Sequence, residues 1–409
     1  MIILARTNSR AQFRPFGVHD NDRLSHVYIA GETGVGKTTF LEGMFRQDIA
    51  ARSGCAFVDP HGDITKHLLE NLPDHIRQTV TYVDIADRAM ALGYNPLTRV
   101  SSPYRPLVAS GLISVMKKMW SDAWGVRMEH ILRNTLLALL DQPKAAMPDI
   151  LLMLGDKHFR AAAIRNIENV QVREFWTKEF TAYPARFVAD SIAPIQNKVG
   201  AFLADPRLRR FVCPEDRGLR LREIMDEGRA LLVNLSKGIL GEDSASTLGG
   251  LLVTSIGLAA LSRADIPEHE RRPFFLYLDE FQNVTTLAMA EMLSELRKYG
   301  VGLVMAHQYL AQLDPAIRHA VLGNAGSIIC FRVGPEDAHV LARQFEPVFA
   351  PIDLMNLPNR HIYLRLMIDG APSKPFSAIT ITPEKAIHLQ SVALKNRHGG
   401  DASPASNLL

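Results

Sequence analysis

The chain has 409 residues, of which 47% are hydrophobic and 22% are charged, and its formal net charge is +3. This composition supports ordinary hydrophobic cores, the length predicts two to three domains, and the small net charge excludes naming a partner from charge alone. The longest apolar run, residues 248–261, is shorter than the ~20 residues that span a bilayer, so we expect no integral membrane segment. The three cysteines lack metal-ligand spacing, which favours free thiols and a cytoplasmic location.

The first predicted unit is a strand, a glycine-rich loop and a helix. The strand covers residues 26–30, and the helix over residues 38–51 has its apolar side chains on one face. Between them the sequence fits the phosphate-loop pattern G-x-x-x-x-G-K-[ST] at every fixed position. Such a loop turns backbone N–H groups towards phosphate oxygens at a helix N-terminus. The predicted nucleotide-binding residues are Gly31, Glu32, Thr33, Gly34, Val35, Gly36, Lys37, Thr38 and Thr39.

Two residues of this loop have distinct predicted roles. The Lys37 ammonium would contact the β- and γ-phosphates, and the Thr38 hydroxyl would be a ligand of Mg²⁺. The predicted cofactors are therefore ATP and Mg²⁺. The alternative is a chance match in a glycine-rich turn, which the order of strand, loop and helix disfavours.

Strands and helices alternate up to about residue 96 and again after about residue 216, whereas the intervening sequence shows helical patterns only. The simplest account is one parallel α/β domain, residues 1–96 and 216–384, interrupted by an all-helical insert, residues 97–215. A polar tail, residues 385–409, is predicted to follow. The insert contains 17 lysines and arginines against 11 aspartates and glutamates. This excess favours a nucleic-acid partner no more strongly than an ordinary solvated helical surface.

A second chemical signal is the apolar strand over residues 274–278, which ends in two adjacent carboxylates. In ATPases with a phosphate loop, an acid at such a strand end belongs to the Mg²⁺ shell, and Asp279 fits this role. Glu280 is then the predicted base that orients and polarises the attacking water. A polar turn is the alternative, and a complete phosphate loop in the same chain disfavours it.

Two further strand ends are expected at the same edge of the sheet. Gln308 lies in the segment of residues 304–308 that ends a later strand, where it would contact the γ-phosphate or the attacking water. Asp59, His61 and Asp63 follow the strand after the loop helix. Their spacing favours a turn that shapes the nucleotide site over a metal site.

The ordered combination of these segments resembles the HerA/FtsK superfamily of DNA-pumping ATPases. Within it the chain is most similar to the conjugative coupling proteins of type IV secretion, the TraG/TraD-like branch. The resemblance extends over about residues 20–383, and it rests on the loop and on residues 58–63, 234–238, 278–281 and 297–308.

The resemblance implies a RecA-like parallel-sheet P-loop NTPase domain interrupted by an all-α insert, assembled into a homo-hexameric ring. It implies nucleotide sites at subunit interfaces, each completed by an arginine of the neighbouring subunit. Arg297 matches the best candidate position, and Arg332 is the alternative. The implied function is an ATP-driven DNA translocase that acts in conjugative transfer or in a related mobile-element process.

The chain departs from the coupling proteins at its start, because only about 25 residues precede the first strand of the predicted core, too few for a membrane anchor. We therefore expect a cytoplasmic protein, or one recruited peripherally to a membrane channel. The expected partners are DNA of either strandedness and a relaxase or secretion-channel protein.

The alternatives to this function are a nucleotide-gated adaptor that recruits a relaxase or effector, and a cytosolic HerA-like motor in DNA processing or phage defence. A kinase is disfavoured, because paired carboxylates and a late glutamine suit attack by water.

Overall fold

The computed structural model describes residues 1–8, 13–90, 92–98, 100–120, 124–214 and 218–398. These residues form a central sheet of 11 strands and a separate sheet of two strands, β11 and β12. The strands, in chain order, are β1 (Ile2–Thr7), β2 (Pro15–Val18), β3 (Val27–Ala30), β4 (Gly54–Asp59), β5 (Val80–Asp84), β6 (Ala230–Asn234), β7 (Phe274–Leu278), β8 (Val301–His307), β9 (Ser327–Cys330), β10 (His361–Arg365), β11 (Met367–Ile368), β12 (Ala371–Pro372) and β13 (Phe376–Thr380).

Helices connect these strands and cover the sheet. The α-helices of the described residues are α1 (Asp20–Arg23), α2 (Lys37–Ala50), α3 (Asp63–Asn71), α4 (Asp74–Arg77), α5 (Arg105–Met119), α6 (Val126–Leu140), α7 (Asp149–Gly155), α8 (Lys157–Ile164), α9 (Val170–Glu174), α10 (Phe180–Ala182), α11 (Ala185–Ala204), α12 (Pro206–Val212), α13 (Leu221–Asp226), α14 (Lys237–Leu240), α15 (Glu242–Leu261), α16 (Leu287–Leu296), α17 (Pro315–Asn324), α18 (Pro335–Leu341), α19 (Pro351–Met355) and α20 (Pro383–His398).

Part of the sheet is a parallel array in the order β9-β3-β8-β7-β4-β6-β5. Most of these strands are buried along their whole length, as in parallel sheets covered by helices on both faces. The strand β3, which leads into the glycine-rich loop, lies beside β8, and β8 lies beside β7. Parallel strands end at a common edge, so the residues after β3, β4, β7 and β8 meet there. The predicted RecA-like α/β fold is confirmed.

The sheet is not parallel throughout, and its antiparallel part was not predicted from the sequence. Strands β10, β13, β1 and β2 extend it with antiparallel pairs beyond β9. Sequence analysis missed this extension because β1 pairs with a strand from the other end of the chain, with Ala5 opposite Thr380. A pairing at that sequence separation leaves no local pattern.

The described residues between Asp84 and Ala230 contain no strand, and helices occupy this stretch. The first of them, α5, packs closely on α15: a Cβ on Gly111 would lie 2.8 Å from the Cγ2 of Thr254. The apolar side chains of these helices, with Trp176 fully buried, belong to the same hydrophobic cluster that covers one face of the sheet. The predicted insert and the sheet therefore share a core. The predicted boundary at residues 215–216 lies outside the described residues.

The polar tail predicted from residue 385 begins with helix α20. Ala386 and Gln390 are buried, and the Gln390 side-chain amide donates a hydrogen bond of 3.0 Å to the carbonyl of Met1. An ion pair of 2.9 Å joins Arg46 of α2 to Glu384. These contacts with distant elements order a sequence that has little apolar periodicity of its own. Residues 399–409 of the predicted tail lie outside the described residues.

Helix α15 and the turn after it differ from the expectation that no segment reaches membrane-spanning length. The stretch Glu242–Asp265 is long and apolar enough to cross a membrane by length and composition, with a mean hydropathy of 1.6. The apolar run of residues 248–261 underestimates the helix, because the helix begins six residues earlier, at Glu242. In the structure 72% of the apolar 18-residue part of this stretch is buried, as in a core helix.

Candidate active site

The glycine-rich loop connects the end of β3 to the start of α2. Gly34 and Gly36 have φ angles of +80° and +110°, a conformation that residues with a Cβ rarely adopt. A Cβ on Gly31 would lie 2.6 Å from the Cβ of Phe331, so the backbone passes too close to β9 for any larger residue. Helix α2 begins at Lys37 and has no acidic residue in its first turn. The loop therefore presents an uncompensated positive helix end, which suits an anion.

Lys37 is buried beneath this loop. Its ammonium donates hydrogen bonds of 2.5 Å and 2.7 Å to the carbonyls of Gly31 and Glu32. Burial lowers the pKa of Lys37, and the negative charges of Asp279 and Glu280 oppose that shift. Thr38 and Thr39 are exposed in the first turn of α2. The charge of Lys37 is thus held between the loop and the acidic end of β7.

Asp279 and Glu280 follow β7 directly. Glu280 has φ +45° and ψ +50°, a left-handed conformation that is uncommon for glutamate. Its backbone N–H donates a bond of 3.0 Å to the Asp279 carboxylate. Burial, and to a smaller extent the charge of Asp59, raise the pKa of Asp279 to about 6. The charge of Lys37 offsets this shift only in part, so the buried carboxylate fits a cation ligand, because a divalent cation would offset the cost of burying it.

The Glu280 carboxylate is the centre of a hydrogen-bond network. Oε1 accepts a bond of 2.9 Å from the Gln308 side-chain amide. Oε2 lies 2.9 Å from Nε2 of His61 and accepts a bond of 3.1 Å from the Asn283 amide. Gln308 in turn accepts a bond of 3.1 Å from the Thr33 hydroxyl. The network thus joins the glycine-rich loop to the ends of β8, β7 and β4.

The turn after β4 shapes this site. The Asp59 carboxylate accepts bonds of 3.0 Å from the backbone N–H groups of His61 and Thr65. Gly62 has φ +92°, and a Cβ there would lie 2.1 Å from the Asn234 Oδ1. Within the described ranges there is no group of three or more histidine, cysteine, aspartate and glutamate side chains that could hold a metal.

The structure separates the two candidate arginines. Arg332 lies beside the loop of its own chain, where its Nε donates a bond of 3.1 Å to the Glu32 carboxylate. Arg297 precedes β8 and lines a cavity with His26 at the opposite edge of the sheet. Gln308 follows β8, so the length of the strand, roughly 20 Å, separates the two ends. Arg297 therefore does not belong to the site of its own chain.

Three contacts of the site were not predicted. Asn283 contacts Glu280, His61 contacts the same carboxylate, and the backbone N–H of Arg360 donates a bond of 3.0 Å to the carbonyl of Val35 in the loop. His61 was considered only within its own turn. Asn283 follows Glu280 by three residues, a spacing at which a turn returns a side chain to the strand end. Arg360 is distant in sequence and gave no signal.

Comparison with known proteins adds one family and a shared fold. Residues 273–344 match a family described as the TraM recognition site of TraD and TraG. A sequence comparison with curated proteins gives no match. The plasmid coupling protein TrwB in complex with the GTP analogue GDPNP superposes with a TM-score of 0.65 at 17% identity, over 92% of this chain and 89% of that chain.

Two further structures agree. TrwB in complex with ADP and Mg²⁺ gives a TM-score of 0.63 at 17% identity, over 92% of this chain and 89% of that chain. VirB4 of Thermoanaerobacter pseudethanolicus gives 0.61 at 14% identity, over 93% of this chain and 96% of that chain. The chain thus shares the fold of TrwB and VirB4, and its residues 273–344 match the TraD and TraG family in sequence.

Proposed function

We propose that this protein is an ATPase that hydrolyses Mg²⁺-ATP to move DNA, or a nucleoprotein, in conjugative transfer or a related mobile-element process. One observation supports it above all: Glu280, Gln308 and Thr33 form an unbroken series of hydrogen bonds from the strand-end acid to the phosphate loop. A binding module needs the loop alone. A carboxylate placed to accept a proton beside that loop suits hydrolysis.

The residues of the site have separate roles in this proposal. Bound Mg²⁺-ATP would supply the phosphoanhydride bond and the metal charge. With nucleotide bound, Lys37 would exchange its carbonyl partners for phosphate oxygens, and Thr38 and Asp279 would hold the metal side of the site. Glu280 orients a water and accepts its proton. Gln308 links the loop to Glu280, so a change at the loop alters the position of the base.

The proposal also includes a ring. In a homo-hexamer, Arg297 at one edge of the sheet would face the loop at the opposite edge of the next subunit. The separation of these two edges within one chain supports a contribution in trans. We propose a cytoplasmic ring that is recruited to a membrane channel, with DNA and a relaxase or channel protein as partners. The excess positive charge of residues 97–215 would suit a contact with the DNA backbone, although it does not by itself distinguish that contact from a solvated surface.

A second candidate is a nucleotide-gated adaptor for a protein substrate. The observation that favours it is the matched family, which is described by a recognition site and covers the segment that contains Glu280 and Gln308. Hydrolysis would then switch contacts with the bound protein and would not move DNA.

The two candidates are distinguished by ATP turnover of the purified protein with single-stranded DNA, double-stranded DNA or neither, at several salt concentrations. Oligomer mass is measured in the same samples. The motor predicts an oligomer whose turnover rises with DNA and whose stimulation falls steeply with salt. A monomer that is indifferent to both DNAs would contradict it.

A further inference from the structure

Helix α5 ends beside the turn that follows Glu280. This turn comprises the short 3-10 helix Phe281–Asn283 and the next two residues. The ammonium of Lys118, one residue before the end of α5, donates hydrogen bonds to three carbonyls of the turn. The distances are 2.7 Å to Thr285, 2.8 Å to Gln282 and 3.4 Å to Asn283.

Lys118 binds these carbonyls and no carboxylate in the described part of the chain. An ammonium has three donors, and the turn provides an acceptor for each. Carbonyls at the end of a helical turn lack intrahelical partners, so a cation there satisfies them and fixes the backbone. The turn has bonds of its own, from the N–H of Thr285 to the carbonyl of Phe281 at 2.9 Å.

A direct connection leads from this lysine to Glu280. Asn283 accepts from Lys118 through its carbonyl and donates through its side-chain amide to the Glu280 carboxylate. The backbone N–H of Asn283 also donates a bond of 2.9 Å to the carbonyl of Glu280. Glu280 has the left-handed conformation described above, so its carboxylate direction depends on how this turn is held.

Helix α5 also belongs to the helical stretch that follows β5. Its Ser114 hydroxyl accepts a bond of 3.2 Å from the N–H of Ala288 at the start of α16. The neighbouring Lys117 is 57% exposed, and its ammonium lies 3.8 Å from Glu129 of α6. One helix therefore contacts the turn after Glu280 on one side and the rest of the helical stretch on the other.

We propose that Lys118 is a positioning residue that holds Glu280 for hydrolysis, so that turnover depends on how the helical stretch is seated on the sheet. This inference rests on the proposed ATPase function. Lys118 does not contact the reacting atoms; it acts through Asn283 and the turn. A partner that moved α5 would change the turnover rate without touching the phosphate loop.

The test compares Lys118→Met, Lys118→Arg and the control Lys117→Met. The measurements are ATP affinity, kcat, KM, thermal unfolding, and hydrogen exchange of the amides of residues 281–286 without nucleotide. Lys118→Met should lower kcat roughly tenfold to a hundredfold with unchanged ATP affinity. It should also speed exchange in the turn. Lys118→Arg should restore most of both properties, and Lys117→Met should alter neither.

Several results would overturn the proposal. One is a Lys118→Met protein with wild-type kcat or with unchanged exchange in the turn. Another is a Lys118→Met protein that loses ATP affinity and thermal stability together with kcat, which would indicate general damage to the structure. Lys118→Gln repeats the comparison if the methionine variant does not fold. An inactive wild-type protein would contradict the ATPase function itself, whereas an active wild type with an equally active Lys118→Met variant would contradict only the role of Lys118.

Discussion

The side-chain amide of Gln308 donates a hydrogen bond of 2.9 Å to the carboxylate of Glu280. The bond exists because β8 and β7 are parallel neighbours, with Leu278 opposite Met305, so their ends lie side by side. Through the Thr33 hydroxyl the same glutamine contacts the phosphate loop. Hydrogen bonds of Gln308 therefore connect the proposed base, Glu280, to the phosphate loop.

Replacing Gln308 should separate loop occupancy from hydrolysis. We expect Gln308→Ala to lower ATP turnover roughly a hundredfold, the size of effect seen when one preorganised donor is removed from an active site. ATP affinity should change little, because the backbone of the loop and Lys37 remain. Turnover and ATP binding are measured together, with Gln171→Ala on helix α9 as the control. Equal turnover in Gln308→Ala and wild type would show that Gln308 has no role in hydrolysis.

Lys37→Ala should abolish ATP turnover, because the variant lacks the charge directed at the phosphates. Thermal stability should remain near that of the wild type, since burial already lowers the pKa of Lys37 and its removal takes away a buried charge. The exposed Lys66 of α3, replaced by alanine, is the matched control. Normal hydrolysis by Lys37→Ala would exclude the loop as the nucleotide site.

The position of Arg297 predicts complementation between subunits. Arg297→Ala alone should lose roughly a thousandfold in turnover, as expected for an arginine that stabilises a phosphoryl-transfer transition state. Mixing it with inactive Lys37→Ala should restore part of the activity. Some mixed interfaces then pair an intact loop with an intact Arg297. If the mixture stays inactive while Arg332→Ala also abolishes turnover, the arginine that stabilises the transition state is Arg332 of the same chain.

The sequence alone was sufficient for the parallel core and its strand-end residues. The predictions succeeded where a local pattern has one structural outcome, as in the apolar strands before Gly31 and Asp279. The antiparallel extension was missed, because β1 pairs with β13 across nearly the whole chain, and no local sequence pattern indicates such a pairing. Helix α20 was missed for a similar reason, since contacts with Arg46 and Met1 order it.

The site was predictable in its types of residue and not in its connections. Spacing indicated that Glu280 and Gln308 would meet at one edge, yet the contact of His61 with Glu280 depends on the left-handed Gly62 and on the seating of that turn against Asn234. The contact of Lys118 depends on how α5 lies on α16. Such orientations are set by packing between distant elements, which no local pattern encodes.

His26 predicts a pH dependence of stability. It is buried just before β3. Its Nε2 donates a hydrogen bond of 2.8 Å to the carbonyl of Leu293, and its Nδ1 accepts a hydrogen bond of 3.1 Å from the N–H of Leu303. Burial lowers its pKa to about 4. The folded pKa of His26 lies below the unfolded value. The contribution of the neutral, buried imidazole to the free energy of unfolding is therefore fully present above about pH 6.5 and is lost as the pH falls towards 4.

The expected loss is about 3 kcal/mol in the free energy of unfolding over that range. Urea unfolding at several pH values, in wild type and His26→Gln, measures it. The two curves should converge as the pH falls, because the variant lacks this titration while all other groups remain. Parallel curves would show that His26 does not titrate differently in the folded and unfolded states.

The most direct test of the account is the behaviour of Glu280→Gln. The variant keeps the size of the side chain and one acceptor oxygen, but an amide nitrogen replaces the other oxygen and the side chain cannot accept a proton from water. We predict that it binds ATP with near wild-type affinity while turnover falls roughly a hundredfold to ten-thousandfold. Wild-type turnover in Glu280→Gln would contradict the claim that this carboxylate is the base, and a loss of ATP binding would place it in the metal shell.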